Sequence, residues 1–538
     1  MTMIVVRLVF SVILFIVCNA QKPTKCVYTF VTESAICSNV ALLQEISREF
    51  RPTWKHIKVI NTLGYFSLMD SSVNAFNSIV EFDLSHAGIL EVPDNGFQYF
   101  TALTHLNLAN ASISAIGDNW FAANNVIADL NLNHNGLTAV RRQQFRNLKK
   151  LRSLNLMDNL IKNIEQFAFQ DCLQLEYLNL RHNHIRTLVH WGQLSRLRQL
   201  DLADNSITEI SVTAFQSMQA LNSLSMERNI ISSIEAGTFN GLDNLNELNL
   251  SMNSIHEISA NIFTTKQLKQ LDLSQNHIIQ IHSNVFSELH ALINLNLSKN
   301  SLPILNENSF FGLTNLNILL LSENQILNIQ PNTFAHLLSI EQIDLSSNAL
   351  LTISGTMFGS TQQLPLKKIF FQKNKIEDVQ PRTFDYVQHI EFLSLAHNRI
   401  SGLDDNLFES LYNLRKLHLQ DNRIVELPKK LYDDISRVTE LQIQHNKLTF
   451  LPASEYVFNN LETVAIHGNP WQCACLREIF DFLTKLSKRR HIDYMNEDNP
   501  FYLGARPLCY EPPVDPPASC VRDIHLVRQY NVVELYEN

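Results

Sequence analysis

The sequence is poor in the residues that most catalytic motifs require. Its 538 residues include only 14 glycines, and no Gly-rich phosphate loop, Ser nucleophile elbow or paired metal motif can be assembled from them. Such motifs place glycine where the backbone turns tightly or approaches a ligand closely. Their absence argues against an enzyme, and no cofactor is expected. Positive charge is also in short supply. With 43 Lys and Arg against 52 Asp and Glu the formal net charge is -9, which speaks against a nucleic-acid groove. Beyond the N-terminus no stretch approaches about 18 uninterrupted apolar residues, so no membrane span is predicted. The final segment 521–538 is instead dotted with charges, among them Arg522, Asp523, Arg528 and Glu534.

The N-terminus does carry one apolar run. Arg7 precedes Leu8 to Val17, and Ala20 stands at a small-residue cleavage position, the pattern of a secretory signal peptide over 1–20. The run is too short to span hydrocarbon comfortably, so the protein is expected to be secreted and extracellular. Cysteine is sparse and uneven. Cys18 leaves with the signal; Cys26 and Cys37 remain near the start, and Cys473, Cys475, Cys509 and Cys520 near the end. An even number at each end suits disulfides that close small caps in an oxidising compartment. Zinc is the alternative for Cys473-x-Cys475, and secretion with two later cysteines favours disulfides. Cys172 stands alone: a buried free thiol, or the donor of an intermolecular disulfide.

What the chain does have is a repeat of mostly 24 residues, with apolar side chains at positions 1, 4, 6 and 11 and Asn at position 9, as in Leu151, Leu154, Leu156, Ile161 and Asn159. The Asn recurs fifteen times from Asn135 to Asn469, and two earlier units place Ala87 and Ala111 there, giving about seventeen units over 79–469. A further degenerate unit falls near Ile57 to Leu63. Positions 4 and 6 alternate as a short strand does, sending both side chains inward and position 5 to solvent. The Asn side chain can satisfy backbone groups where the strand turns away, so stacked Asn residues form a buried ladder that Ala87 and Ala111 cannot join; the first two coils should be less regular. Eighteen residues after position 1 most units place a Phe, thirteen in all from Phe97 to Phe408. A fixed place in the frame makes these core rings, not a binding stripe. The unit from Leu175 lacks this Phe and is 22 residues long, so a pinch is expected near Trp191.

This pattern resembles the typical extracellular leucine-rich repeat, and Asn469-Pro470-Trp471-Gln472-Cys473-Ala474-Cys475 resembles the opening of that family's C-terminal cysteine cap. The resemblance implies an α/β leucine-rich-repeat solenoid: a curved horseshoe with a parallel concave β-sheet and cysteine caps at both ends. It implies an N-terminal cap with a degenerate first coil over 21–78, repeats over 79–469, a C-terminal cap over 470–520 and a short tail over 521–538. It also implies that Cys473 pairs with Cys509 and Cys475 with Cys520, although four cysteines allow three connectivities. Within the family the chain is most similar to the secreted leucine-rich-repeat immune proteins of mosquitoes, of the type without a coiled coil.

The concave face is the first place to look for binding, because strand positions 3, 5, 7 and 8 project into it. Most are polar. The exceptions are Ile318, Leu320, Phe370 and Phe392, with Lys367, Lys368 and Lys373 beside them. Strands about 4.8 Å apart put the four apolar residues within about 15 Å along the array, and exposed apolar groups beside cations suit a contact site; the bland alternative is that they cover one another. His397, His418, His445 and His467 gather on consecutive units, too loosely for a metal, and read as solvated surface. Sequons stand at Asn110, Asn249 and Asn296, the last two at position 5, where glycans would shield the middle of the groove. The expectation is a non-enzymatic protein that binds an extracellular protein or a microbial surface component, with a cell-adhesion or matrix component, or a carrier of a secreted growth factor, as the alternative.

Overall fold

Each repeat turns once around a core because its apolar positions cannot be buried by a single turn; stacked neighbours cover them. The computed structural model describes residues 25–68, 76–121, 126–428, 430–431, 437–451, 460–472 and 509–510. The segment 1–20 expected to be a signal peptide, Cys473, Cys475, Cys520 and the final segment lie outside the described residues, and Cys509 is described in its backbone alone. Two compact units are present: Met1–Ile231 with Gly241–Leu245, and Ser232–Asn240 with Asn246–Asn538.

The first unit opens on an antiparallel hairpin of β1 (Cys26–Thr29) and β2 (Ser34–Ser38), in which Cys26 pairs directly with Cys37 and the two form a disulfide. This is the expected N-terminal cap. β2 then pairs in parallel with β3 (His56–Ile60), the degenerate coil, whose Ile57 and Val59 are buried. Three-residue parallel strands follow, one per coil, beginning at Glu81–Asp83 and His105–Asn107. In the second unit the same strands run in register from Glu247–Asn249 to Thr463–Ala465. Leu151, Leu154, Leu156 and Ile161 are all buried, as are their counterparts throughout.

Within each unit the Asn ladder is present and joins coil to coil. Asn300 donates from Nδ2 to the carbonyls of Leu273 (2.9 Å), Leu297 (3.0 Å) and Ser298 (3.3 Å), while its Oδ1 accepts from the Ile278 N–H at 3.0 Å. One side chain thereby bonds buried backbone groups of its own coil and of the one before it, the Ile278 N–H among them. At the front the ladder ends on Asn135, whose Oδ1 serves both Ala111 and Ile113. Ile89 bonds instead to the Ala111 carbonyl, and the pairing of Phe66–Ser67 with Ile89–Glu91 carries a register shift. The early coils are irregular as anticipated.

All thirteen repeat Phe rings are buried, and neighbours stack within each unit, Phe97 on Phe121 at 5.5 Å and Phe263 on Phe286 at 6.1 Å. Burying each ring contributes about 1.5 to 3 kcal/mol. The expected pinch in the coil from Leu175 is filled instead. Trp191 is buried with its ring 6.1 Å from Phe169, so it occupies the missing Phe place from a different sequence offset. Gly192, at φ 130°, permits this, since a Cβ there would lie 2.8 Å from the Gln170 Cα.

Candidate recognition surface

Two rules set the sheet face, and only the first, alternation, was read from the sequence. The second concerns position 5. Where it is Asn or Asp, its Oδ1 turns back to accept the N–H two residues on: Asn249 caps Ser251 (3.0 Å), Asp272 caps Ser274 (2.8 Å), Asn296 caps Ser298 (3.1 Å) and Asp344 caps Ser346 (2.9 Å). Position 5 in these coils is half-buried backbone chemistry. Leu320 and Phe370 have no acceptor, so their coils give up this cap and present an apolar side chain instead.

Register then fixes who meets whom in the second unit. One rank of the face reads Ile318, Gln342, Lys368, Phe392, Lys416 and Glu440; the next reads Leu320, Asp344, Phe370, Ser394, His418 and Gln442. Phe370 and Phe392 come together with ring centroids 5.0 Å apart, and His418 closes on Phe392 edge-to-face at 4.9 Å. Ile318 and Leu320 are not part of this cluster: the strand bearing Gln342 and Asp344 lies between. All four apolar side chains are half-buried, while Ile369, Phe371 and Leu393 beside the rings are fully buried, as alternation requires.

Cations border the cluster in different states. Lys367 is bound to Glu341 at 2.8 Å, which holds the Glu341 carboxyl below its ordinary range through that hydrogen bond. Lys368 is exposed. Glu440 receives both Lys416 and His418 at 2.7 Å; burial pushes its carboxyl up, and the two hydrogen bonds outweigh it and draw it down. Sequence reading left His418 among solvated histidines. Its place in the position-5 rank next to Phe392 was the signal that could have moved it into the site. The other late histidines stay outside the ring cluster: His397 faces Asp421 at 3.3 Å, and His445 meets His467 edge-on at 4.9 Å. No group of His, Cys, Asp or Glu suited to a metal ion occurs among the described residues.

The sequons differ in setting. Asn110 is exposed, whereas Asn249 and Asn296 are half-buried, and Asn296 Nδ2 reaches Asp272 at 3.2 Å. A feature missed in the sequence is a flank stripe of aliphatics after the Asn ladder. Ile279, Ile304, Leu327 and Leu351 come from consecutive coils and are each about half exposed. Ile279, Leu327 and Leu351 share position 12 of their units and Ile304 stands one place further on, a recurrence that was the legible sign. Cys172 is buried and free, matching the thiol reading. Among the described residues no helix is long and apolar enough to cross a membrane.

The leucine rich repeat model matches residues 77–137, 125–185, 195–255, 220–278, 266–326, 314–364 and 365–424. The chain belongs to the leucine-rich-repeat family. Among curated proteins none matches it. Among solved structures, Drosophila Toll in complex with Spatzle (glycosylated form) is similar at 17% identity, covering 84% of this chain and 77% of that one, with a TM-score of 0.55. A leucine-rich-repeat protein of Leptospira interrogans is similar at 21% identity over 71% of this chain and 94% of that one, TM-score 0.51. At such identities the likeness establishes the fold of this leucine-rich-repeat chain and nothing finer. The leucine-rich repeat domain of APL1B is matched at 21% identity over 53% of this chain and 79% of that one, TM-score 0.43.

Proposed function

We propose that this leucine-rich-repeat protein is a secreted, non-enzymatic recognition protein that captures an extracellular protein or microbial surface component on the sheet face of its second unit, in innate immunity of the mosquito type. One observation carries the reading. In the coils of Leu320 and Phe370 the position-5 cap, present at Asn249, Asp272, Asn296 and Asp344, is replaced by an apolar side chain, and Phe370 joins Phe392 and His418 in an aromatic cluster. A fold that gives up a local backbone bond for a solvent-facing ring does so at sites of function. Rings of this kind, with cations such as Lys368 at the rim, are the usual anchors of protein contacts. The Toll structure, of the same fold, is described as a hub in development and innate immunity and holds a protein ligand, Spatzle. The signal peptide, the cysteine caps and the sequons supply the secreted part of the reading.

The test is capture from body fluid with and without microbial challenge. Wild-type protein and the pair Phe370→Ala with Phe392→Ala serve as baits, with partners read by mass spectrometry. Loss of a partner by at least about tenfold in the double variant is expected, since buried aromatic anchors are each worth upwards of about 2 kcal/mol. Equal capture by both baits rules the face out, and a partner set of matrix proteins sinks the immune reading.

A further inference from the structure

The sheet face of the first unit has a hollow that the repeat pattern does not require. It is an open cavity of about 490 Å³, lined by positions 5, 7 and 8 of three consecutive coils. Its floor is formed at position 7 by the small residues Ser85 and Ala109, with Asn133 in the third coil. The wall mixes polar side chains with apolar surface such as Ala109. His86, Asn110 and His134 stand in one rank above Asn107 and Asn131, and all line the space. Asn133, also in the lining, has an Oδ1 without a hydrogen-bond partner among the described residues.

Asn110 is itself the acceptor residue of the sequon Asn110-Ala111-Ser112. It is exposed, holds a left-handed φ of 50°, a conformation that asparagine tolerates better than most residues, and its Nδ2 lies 2.8 Å from His86 Nδ1 in the cavity wall. The atom to which a sugar would be joined is therefore held at the edge of an open hollow large enough for a sugar. We propose that this cavity seats the first N-acetylglucosamine of a glycan carried by Asn110. Attachment forms the Nδ2–C1 bond as the C1–O bond to a polyprenyl diphosphate carrier breaks, and Nδ2 gives up one proton. The hydrogen that remains can still donate to His86 Nδ1. The sugar's hydroxyl and acetamido N–H groups then face amide and imidazole groups of the lining. His134 is paired with Asp158 of the next coil at 3.2 Å.

The inference rests on the secretion in the proposed function, and its test separates the two. The full chain is expressed in insect cells, trimmed with an endoglycosidase to a single N-acetylglucosamine, and compared by hydrogen exchange with Ser112→Ala, which removes the sequon and leaves Asn110 in place. Amides of residues 105–112 and 131–136 are expected to exchange at least about fivefold more slowly in the glycosylated protein. Ala109→Gln, which fills the hollow and keeps the sequon, should retain the sugar and lose that protection. Secreted protein with Asn110 unmodified, or modified with exchange equal to Ser112→Ala, overturns the proposal while leaving secretion standing. A chain retained in the cells and bare of glycan overturns both.

Discussion

Phe370 and Phe392 meet diagonally. In register Phe392 pairs with Lys368, and Phe370 with Ser394, yet the two rings lie 5.0 Å apart at an interplanar angle of 39°. Diagonal neighbours on adjacent strands are within reach of aromatic side chains, and such a pair is worth about 0.5 to 1.5 kcal/mol beyond its buried area. Each ring half-covers the other. A thermal double-mutant cycle of Phe370→Ala and Phe392→Ala should therefore give a coupling of about 1 kcal/mol. Leu395→Ala, at a fully buried position of the same coil, should cost about 2 to 5 kcal/mol alone. Single-ring variants that melt as low as Leu395→Ala would show the rings to be core, and the proposed anchor would fail.

The Asn ladder makes a second, purely structural prediction. Replacing Asn300 by Ala deletes a side chain that joins two coils through four hydrogen bonds. The buried Ile278 N–H loses its partner, whereas the carbonyls of Leu273 and Leu297 still accept from Asn276 and Asn324 Nδ2; one such orphan costs about 1 to 3 kcal/mol. Denaturant unfolding of Asn300→Ala should show a loss of about 1 to 3 kcal/mol. A loss under about 1 kcal/mol, the range of an ordinary surface change, would mean that water replaces the amide.

The ladder and the Phe stack were legible because residue type, place and role coincide in every unit: Asn where backbone groups turn inward, Phe where a broad gap must be filled. Cys26 and Cys37 were legible for the same reason, as an isolated pair. Trp191 was hidden because a larger ring fills the gap from another offset, with Gly192 letting the backbone approach Gln170. Position 8 was hidden differently. It holds a left-handed φ near 55° in coil after coil, at residues as unlike as His134, Arg228, Glu323 and Lys373; the hydrogen bonds of the stacked coils impose that turn, so no residue type marks it. The candidate site was half legible. Alternation turned Phe370 and Phe392 outward, but the contact of His418 with Phe392 and the separation of Ile318 and Leu320 follow from register and from the position-5 caps, which single residues do not announce.

Cys172 offers a simple chemical check. It is wholly buried, its Sγ 4.0 Å from the Phe145 carbonyl, and burial, with the nearby Asp171 charge adding to it, pushes its thiol up to about 12. Only the thiolate reacts with alkylating agents. At pH 8 the native protein should resist iodoacetamide at Cys172 by at least about a hundredfold relative to the unfolded chain, on both access and ionisation. Rapid labelling of folded protein, or a mixed disulfide at this residue, would exclude the buried-thiol reading.

The late histidines predict a pH response at the end of the second unit. Burial, reinforced by the neighbouring His445 ring at 4.9 Å, draws His467 below its ordinary value of 6.5, while the Asp421 carboxylate pulls the other way and is outweighed. A depressed histidine binds its proton less readily folded than unfolded, so between the folded value and 6.5 the unfolded chain holds more protons and stability rises with pH. The local fold is therefore most stable above pH 6.5 and loosens as pH falls below it. Hydrogen exchange at the strand Thr463–Ala465 should speed up on acidification from pH 7.5 to 5.5, after correction for the intrinsic pH dependence of exchange, and His467→Gln should flatten that profile. Glu440 acts in a lower window, because its lowered carboxyl adds stability that persists until pH falls through the carboxylate range. Profiles of wild type and His467→Gln that coincide down to pH 5.5 would show that His467 is not the titrating group.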